Sequence, residues 1–388
     1  MRQRLLFFIL ILIVCISGFS QGMLLPLISI ILETDGVSST INGLHATGLY
    51  IGVLLASPLM EAPLRKYGYK PLIIIGGMTV ILSIISFTVW DHLLFWFILR
   101  LLIGIGDHAL HFATQTWITS SSPENVRGRN ISLYGLFFGI GFAAGPLMIH
   151  LYHINENLPF IITTVISLLA LLTVFLLKNE YPEQDTTDTE SYSFASSFER
   201  FWKILKYAWA PLLPALCYGM LEASLNSNFP VYGIRSGIDV NIIPTVVSAF
   251  AIGGIVFQIP LGILSDRFGR RNMLLFIMLF GTLTFISAGF FEDQPIALIS
   301  CFFISGMLLG STFSLSIAYM TDTISKPLLP AGNLMTGISY SIGSIVGPFL
   351  GGLVIDLMPE FSFFFFISVV LFIIFICLLM YNKEKAFA

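Results

Sequence analysis

Charge is what this sequence has least of: only 11% of its 388 residues are Asp, Glu, Lys or Arg, against about 25% in a soluble globular chain. With a formal net charge of −3 there is no basic surface for nucleic acid, which is therefore not an expected partner. Long polar stretches are missing too, so no extramembrane domain is expected. The four cysteines, Cys15, Cys217, Cys301 and Cys377, each sit inside an apolar run, which argues against a disulfide framework or a cysteine zinc site. No GxxxxGK[ST] loop occurs, so direct drive by ATP is excluded and no cofactor is expected.

What remains is apolar. Hydrophobic residues make up 56% of the chain, 36 of them Phe, and runs of about 20 such residues recur, each long enough to cross a bilayer as a helix. We place twelve spans at 5–32, 41–60, 71–90, 93–118, 131–152, 158–177, 210–232, 242–264, 272–291, 295–319, 334–357 and 361–381. The basic, apolar start resembles a secretory signal, but its apolar stretch runs too long for one and reads as an uncleaved first span. With the N-terminus inside, every Lys and Arg except Arg100 and Arg235 falls on the cytoplasmic side, the pattern of the positive-inside rule. The expected protein is multi-pass in the plasma membrane, with both termini cytoplasmic.

A polar segment divides the chain at its middle, giving an N-terminal domain over 1–178, a linker over 179–209 and a C-terminal domain over 210–388. The linker ends in a basic amphipathic pattern, with Phe198, Phe201, Trp202, Leu205 and Trp209 opposite Arg200, Lys203 and Lys206, suited to the inner face of the lipid bilayer. The two halves repeat. Gly135, Gly141, Gly145 and Pro146 recur 202 residues later as Gly337, Gly343, Gly347 and Pro348, and RKYGYKP after the second span parallels DRFGRRN after the eighth. The fold expected is all-α, with twelve transmembrane helices in two pseudo-symmetric six-helix bundles. In such parallel duplications the substrate site lies at mid-depth between the repeats.

Three motifs resemble the major facilitator superfamily, specifically its drug/metabolite–proton antiporter branch, over essentially the whole chain. They are GILSDRFGRR (262–271), Arg100 followed by Gly104 and Gly106, and the pair GFAAGP (141–146) and GSIVGPFLGG (343–352). The first half departs from the loop signature, with Arg65 where an Asp is usual. The resemblance implies a cytoplasmic gate at Gly262, Asp266, Arg267, Arg270 and Arg271, with Asp266 latching the opposite half. It also implies helix-bend motifs at Gly141, Gly145, Pro146, Gly343, Gly347 and Pro348, whose glycines admit a close neighbour.

Polar residues inside the spans supply the candidate site. Arg100, Gly104, Asp107, His111, Thr114 and Gln115 share about 100° of one helical face, with His108 at its edge. Charge at bilayer depth costs several kcal/mol unless it faces protein or water, so this stripe is expected to line a cavity. Asp107 and His111 stand four residues apart, where a carboxylate and an imidazole can pass a proton. The seventh span adds Glu222 with Tyr218 and Asn226; the first adds Ser17 and Gln21, the second His45. A metal site at Asp107, His108 and His111 lacks a fourth ligand, so none is expected. The function expected is export of a small amphipathic organic compound in exchange for protons, by a monomer working through alternating access. Alternatives are a proton-linked uptake symporter, a lipid or glycolipid flippase of the same fold and, from another class, a membrane-embedded enzyme.

Overall fold

A computed structural model describes residues 2–152, 154–182, 202–206, 208–324 and 329–381, with the side chains of 2, 3, 61, 124–129, 132 and 329–331 outside the description. Most of the expected linker, including Phe198, Arg200 and Phe201, therefore lies outside the described residues, although 202–206 is helical.

All twelve apolar runs are helical. We number the helices α1 (Arg2–Thr34), α2 (Ser39–Ala56), α3 (Tyr69–Ser86), α4 (Leu93–Ser121), α5 (Glu124–Ala144), α6 (Leu158–Leu172), α7 (Trp209–Arg235), α8 (Ile243–Phe268), α9 (Arg270–Phe290), α10 (Pro295–Leu309, resumed as Thr312–Thr323), α11 (Leu329–Leu357) and α12 (Phe363–Met380). Helices are the natural outcome of such runs, because lipid offers no partner for backbone N–H and C=O groups. Among the described residues ten helices are long and apolar enough to cross a membrane; α2 and α7 are not among them. Both are diluted by polar side chains, Asn42, His45 and Thr47 in α2 and Glu222, Asn226 and Asn228 in α7.

The chain divides into two compact units, one of Met1–Thr34 with His45–Gln184 and one of Asp35–Leu44 with Asp185–Ala388. The first turn of α2 thus belongs to the second unit, where Asp356 of α11 accepts hydrogen bonds from the Ser39 N–H (3.0 Å), the Thr40 N–H (2.7 Å), the Thr40 hydroxyl (2.6 Å) and Arg235 Nη1 (2.9 Å).

Each unit is built on the same close approaches. In the first, a Cβ on Gly141 would strike the Cys15 carbonyl of α1, and one on Gly145 the backbone of Phe19 and Met23. In the second, Gly343 and Gly347 meet the carbonyls of Leu216 and Met220 on α7 in the same way. Gly104 of α4 lies against the Leu49 carbonyl of α2, and its counterpart Gly306 of α10 against the Phe250 carbonyl of α8. Helix pairs this close require residues without a side chain. The repeat seen in sequence is therefore a repeat of packing, with the bend-motif glycines serving seams inside each unit. Gly135, Gly337 and Gly262 differ: nothing lies within 4 Å of a Cβ placed on them.

The two Gly-Pro pairs behave differently. After Ala144 the helix tightens into a 3-10 turn, Gly145–Met148, before resuming at Ile149–Tyr152, as a lost N–H and a ring clash demand. Pro348 instead lies within the unbroken α11, and its carbonyl accepts a hydrogen bond from Asn228 Nδ2 at 3.0 Å.

Candidate functional site

Helix α4 carries the densest polar stripe, and its neighbours decide what each member does. Asp107, at the midpoint of α4, is only 3% exposed. Gly18 and Gly22 let α1 come close to α5, and from α1 Ser17 and Gln21 reach the carboxylate on α4. The Ser17 hydroxyl donates to Asp107 Oδ1 at 2.5 Å, and Gln21 Nε2 donates to Oδ2. Both oxygens of a buried carboxylate are thereby satisfied, as burial of a charge demands.

His111 sits one turn further along α4. Its Nε2 is 3.8 Å from Asp107 Oδ1, beyond hydrogen-bond reach, but 2.9 Å from Ser17 Oγ. The i,i+4 pair is therefore not directly hydrogen-bonded, and Ser17 stands between the two groups. With the serine hydrogen given to Asp107, His111 Nε2–H donates to Ser17 Oγ. The Nδ1 is then an acceptor, and the Tyr134 hydroxyl of α5 lies 2.5 Å from it. Thr114 Oγ1 lies 3.4 Å from the same tyrosine oxygen. Phe138 packs its ring against that of His111, centroids 5.2 Å apart.

The other stripe members go elsewhere. Arg100 is 2% exposed; its Nη2 donates to the Leu25 carbonyl at 3.5 Å, while Nη1 has no hydrogen-bond partner among the described residues. No ion pair joins it to Asp107 among the described residues, so the two are not a bonded pair. His108 turns to Ser57 Oγ, 3.2 Å away, and Gln115 is exposed. His45 donates from Nε2 to the Leu93 carbonyl at 3.1 Å. A cavity beside Asp107 is lined by Ile13, Ser17, Ser20, Gly77, Asp107 and Ser167, so part of the stripe does border one. Among the described residues no group of three or more His, Cys, Asp and Glu side chains converges as metal ligands would.

In the second unit Glu222 Oε2 accepts a hydrogen bond from the Tyr340 hydroxyl of α11 at 2.6 Å. Asn226 donates to the Glu222 backbone carbonyl at 2.8 Å, and the Tyr218 ring lies 6.2 Å from that of Tyr340. On the charged loop, Asp266 is exposed and pairs with Arg270 one turn on. Arg270 also reaches Asp322 (3.5 Å) and Ser265 (2.6 Å). Arg271 donates to the carbonyls of Leu378, Leu379 and Tyr381, capping the end of α12, and Arg267 is exposed.

Sequence reasoning missed Tyr134 and Tyr340. The available signal was weak: a tyrosine inside an apolar run whose hydroxyl must find a partner once buried.

Ionisable side chains buried in mid-helix of apolar spans mark functional sites rather than simple packing. The sequence matches the Major Facilitator Superfamily over residues 10–246 and 215–386, and the chain belongs to that family of secondary transporters. It is 55% identical, over 100% of its length and 97% of the relative's, to the uncharacterized MFS-type transporter YfkF of Bacillus subtilis (strain 168). It is 23% identical to Multidrug resistance protein 2 of the same organism, covering 94% of this chain and 92% of that one. Among solved structures, a bacterial homolog of the human lysosomal transporter Spinster superposes with a TM-score of 0.79 at 16% identity, covering 100% of this chain and 98% of that one. The nucleoside transporter NupG gives 0.78 at 14% identity, covering 98% and 99%.

Proposed function

We propose that this transporter exports a small amphipathic organic compound in exchange for protons, as a monomer of the plasma membrane with both termini in the cytoplasm. The observation that carries this is Asp107: a carboxylate buried at the middle of α4, satisfied by Ser17 and Gln21 and linked through Ser17 to an imidazole. A buried carboxylate with a hydrogen-bonded route for its proton is the equipment a proton-coupled cycle needs, since one proton crossing 100 mV supplies about 2.3 kcal/mol. Glu222 with Tyr340, Tyr218 and Asn226 serves the substrate in the second unit, and the loop bearing Asp266 and Arg270 is the inner gate. Likeness to a protein named for multidrug resistance favours export of amphipathic compounds.

The test is accumulation of ethidium and tetraphenylphosphonium in everted membrane vesicles under an imposed pH gradient. Wild-type protein should accumulate one or both, and a protonophore should abolish the uptake. Asp107→Asn, which fixes the group neutral, should lose uphill accumulation yet keep exchange of labelled for unlabelled dye. Uphill transport at the parental rate in Asp107→Asn removes Asp107 from the coupling step.

A further inference from the structure

We propose that Ser17, His111 and Tyr134 form a proton relay that loads and unloads Asp107, with the Tyr134 hydroxyl as the end away from the carboxylate; this rests on the reading of Asp107 as the coupling group. Four groups stand in line: Asp107 Oδ1 to Ser17 Oγ at 2.5 Å, Ser17 Oγ to His111 Nε2 at 2.9 Å and His111 Nδ1 to Tyr134 Oη at 2.5 Å. Each separation is within hydrogen-bond range, and the direct gap from His111 to Asp107, 3.8 Å, is not. Ser17 is thus the only short link from carboxylate to imidazole among the described residues.

The chain has two self-consistent polarities. With Asp107 ionised, Ser17 O–H donates to Asp107, His111 Nε2–H to Ser17, and Tyr134 O–H to His111 Nδ1. With Asp107 protonated, every donor reverses: Asp107 O–H to Ser17, Ser17 O–H to His111 Nε2, His111 Nδ1–H to Tyr134. Conversion takes up one proton at the Tyr134 oxygen, whose own proton passes to Nδ1. The Nε2 proton then passes to Ser17 and the serine proton to Asp107. No bond between heavy atoms changes, and the net change is one proton on Asp107 and the opposite tautomer of His111. An imidazole suits this role because its two nitrogens can donate on one side while accepting on the other.

The surroundings favour this path. The groups acting on Asp107 from the packed helices are Ser17 and Gln21 on α1, His111 on α4 and Tyr134 on α5. Helices α3 and α6 line the adjacent cavity with Gly77 and Ser167 and bring no ionisable side chain to it. Gln21 holds Oδ2 but leads no further. His108 faces Ser57, away from the chain.

The experiment is a pH-jump with time-resolved infrared detection on the full-length protein in liposomes, which needs no substrate. The carboxylic C=O band of Asp107 is identified by its loss in Asp107→Asn. Tyr134→Phe keeps the ring against His111 but removes the hydroxyl, and Ser17→Ala removes the bridge. Each should slow appearance of the Asp107 band by about tenfold or more, the scale lost with one proton-transfer partner. Ser17→Thr, which keeps a hydroxyl, should restore the rate, and Ser57→Ala, outside the chain, should leave it unchanged. Parental rates in both Tyr134→Phe and Ser17→Ala overturn the relay while leaving Asp107 as the coupling group. A spectrum with no Asp107 band at any pH overturns the coupling reading itself.

Discussion

At the scale of single residues, Arg100 is the sharpest case. A guanidinium 2% exposed, bonded to the Leu25 carbonyl at 3.5 Å and with Nη1 unpartnered among the described residues, is a buried charge that no carboxylate pairs with among those residues. The two helical turns separating it from Asp107 span about 10 Å along the axis, too far for a salt bridge from backbone position alone. If Arg100 serves transport, the role left to it is binding an anionic group rather than pairing with Asp107. Arg100→Lys keeps the charge but loses the planar fork, so transport should fall by about tenfold or more, roughly 1.4 kcal/mol. Wild-type rates of dye transport in Arg100→Lys would reduce it to a packing residue. The candidates Asp107, His111, Glu222 and Gln21 could be picked out in sequence because polar groups in apolar runs stand out, and the structure gives each a hydrogen-bonded neighbour. Tyr134 and Tyr340 were not, since helical periodicity tells which face a residue is on but not which distant helix meets that face.

At the scale of helices, the glycine motifs were legible as motifs but not as contacts. Their repetition implied bends and close neighbours without naming them; the structure puts Gly141 and Gly145 against α1, and Gly343 and Gly347 against α7. Gly135 and Gly337 belong to the same sequence pattern yet face open space. This separates them experimentally. Gly141→Ala and Gly343→Ala must push a helix off a backbone carbonyl, which should cost about 1–3 kcal/mol. Gly135→Ala and Gly337→Ala add no clash and should be neutral or stabilising, by up to about 1 kcal/mol, because alanine is the better helix former. Thermal unfolding midpoints of the four variants in detergent are the readout. Equal effects at all four positions would mean that the seams are not where the glycines matter. Ten of the twelve expected spans are helices long and apolar enough to cross a membrane among the described residues; the other two, α2 and α7, are helical but too polar to stand out by hydropathy. The weaker apolarity of α2 and α7 follows from the polar groups that make them candidates for function.

At the scale of the whole molecule, duplication and membrane residence were the most legible features, because both are written in periodicities that tertiary structure does not overrule. Coupling was the least legible: it depends on which proton moves with which solute, and no spacing encodes that. The central claim is that export of a compound is exchanged for protons through Asp107. Its most direct test uses liposomes loaded with ethidium and a luminal pH dye, then diluted into ethidium-free buffer. As ethidium leaves down its gradient, protons should enter, and the lumen should acidify with wild-type protein. In Asp107→Asn luminal pH should stay constant, while labelled ethidium should still exchange when unlabelled ethidium is supplied outside. A lumen that turns alkaline as ethidium leaves, or one that stays unchanged with wild-type protein, would contradict the exchange.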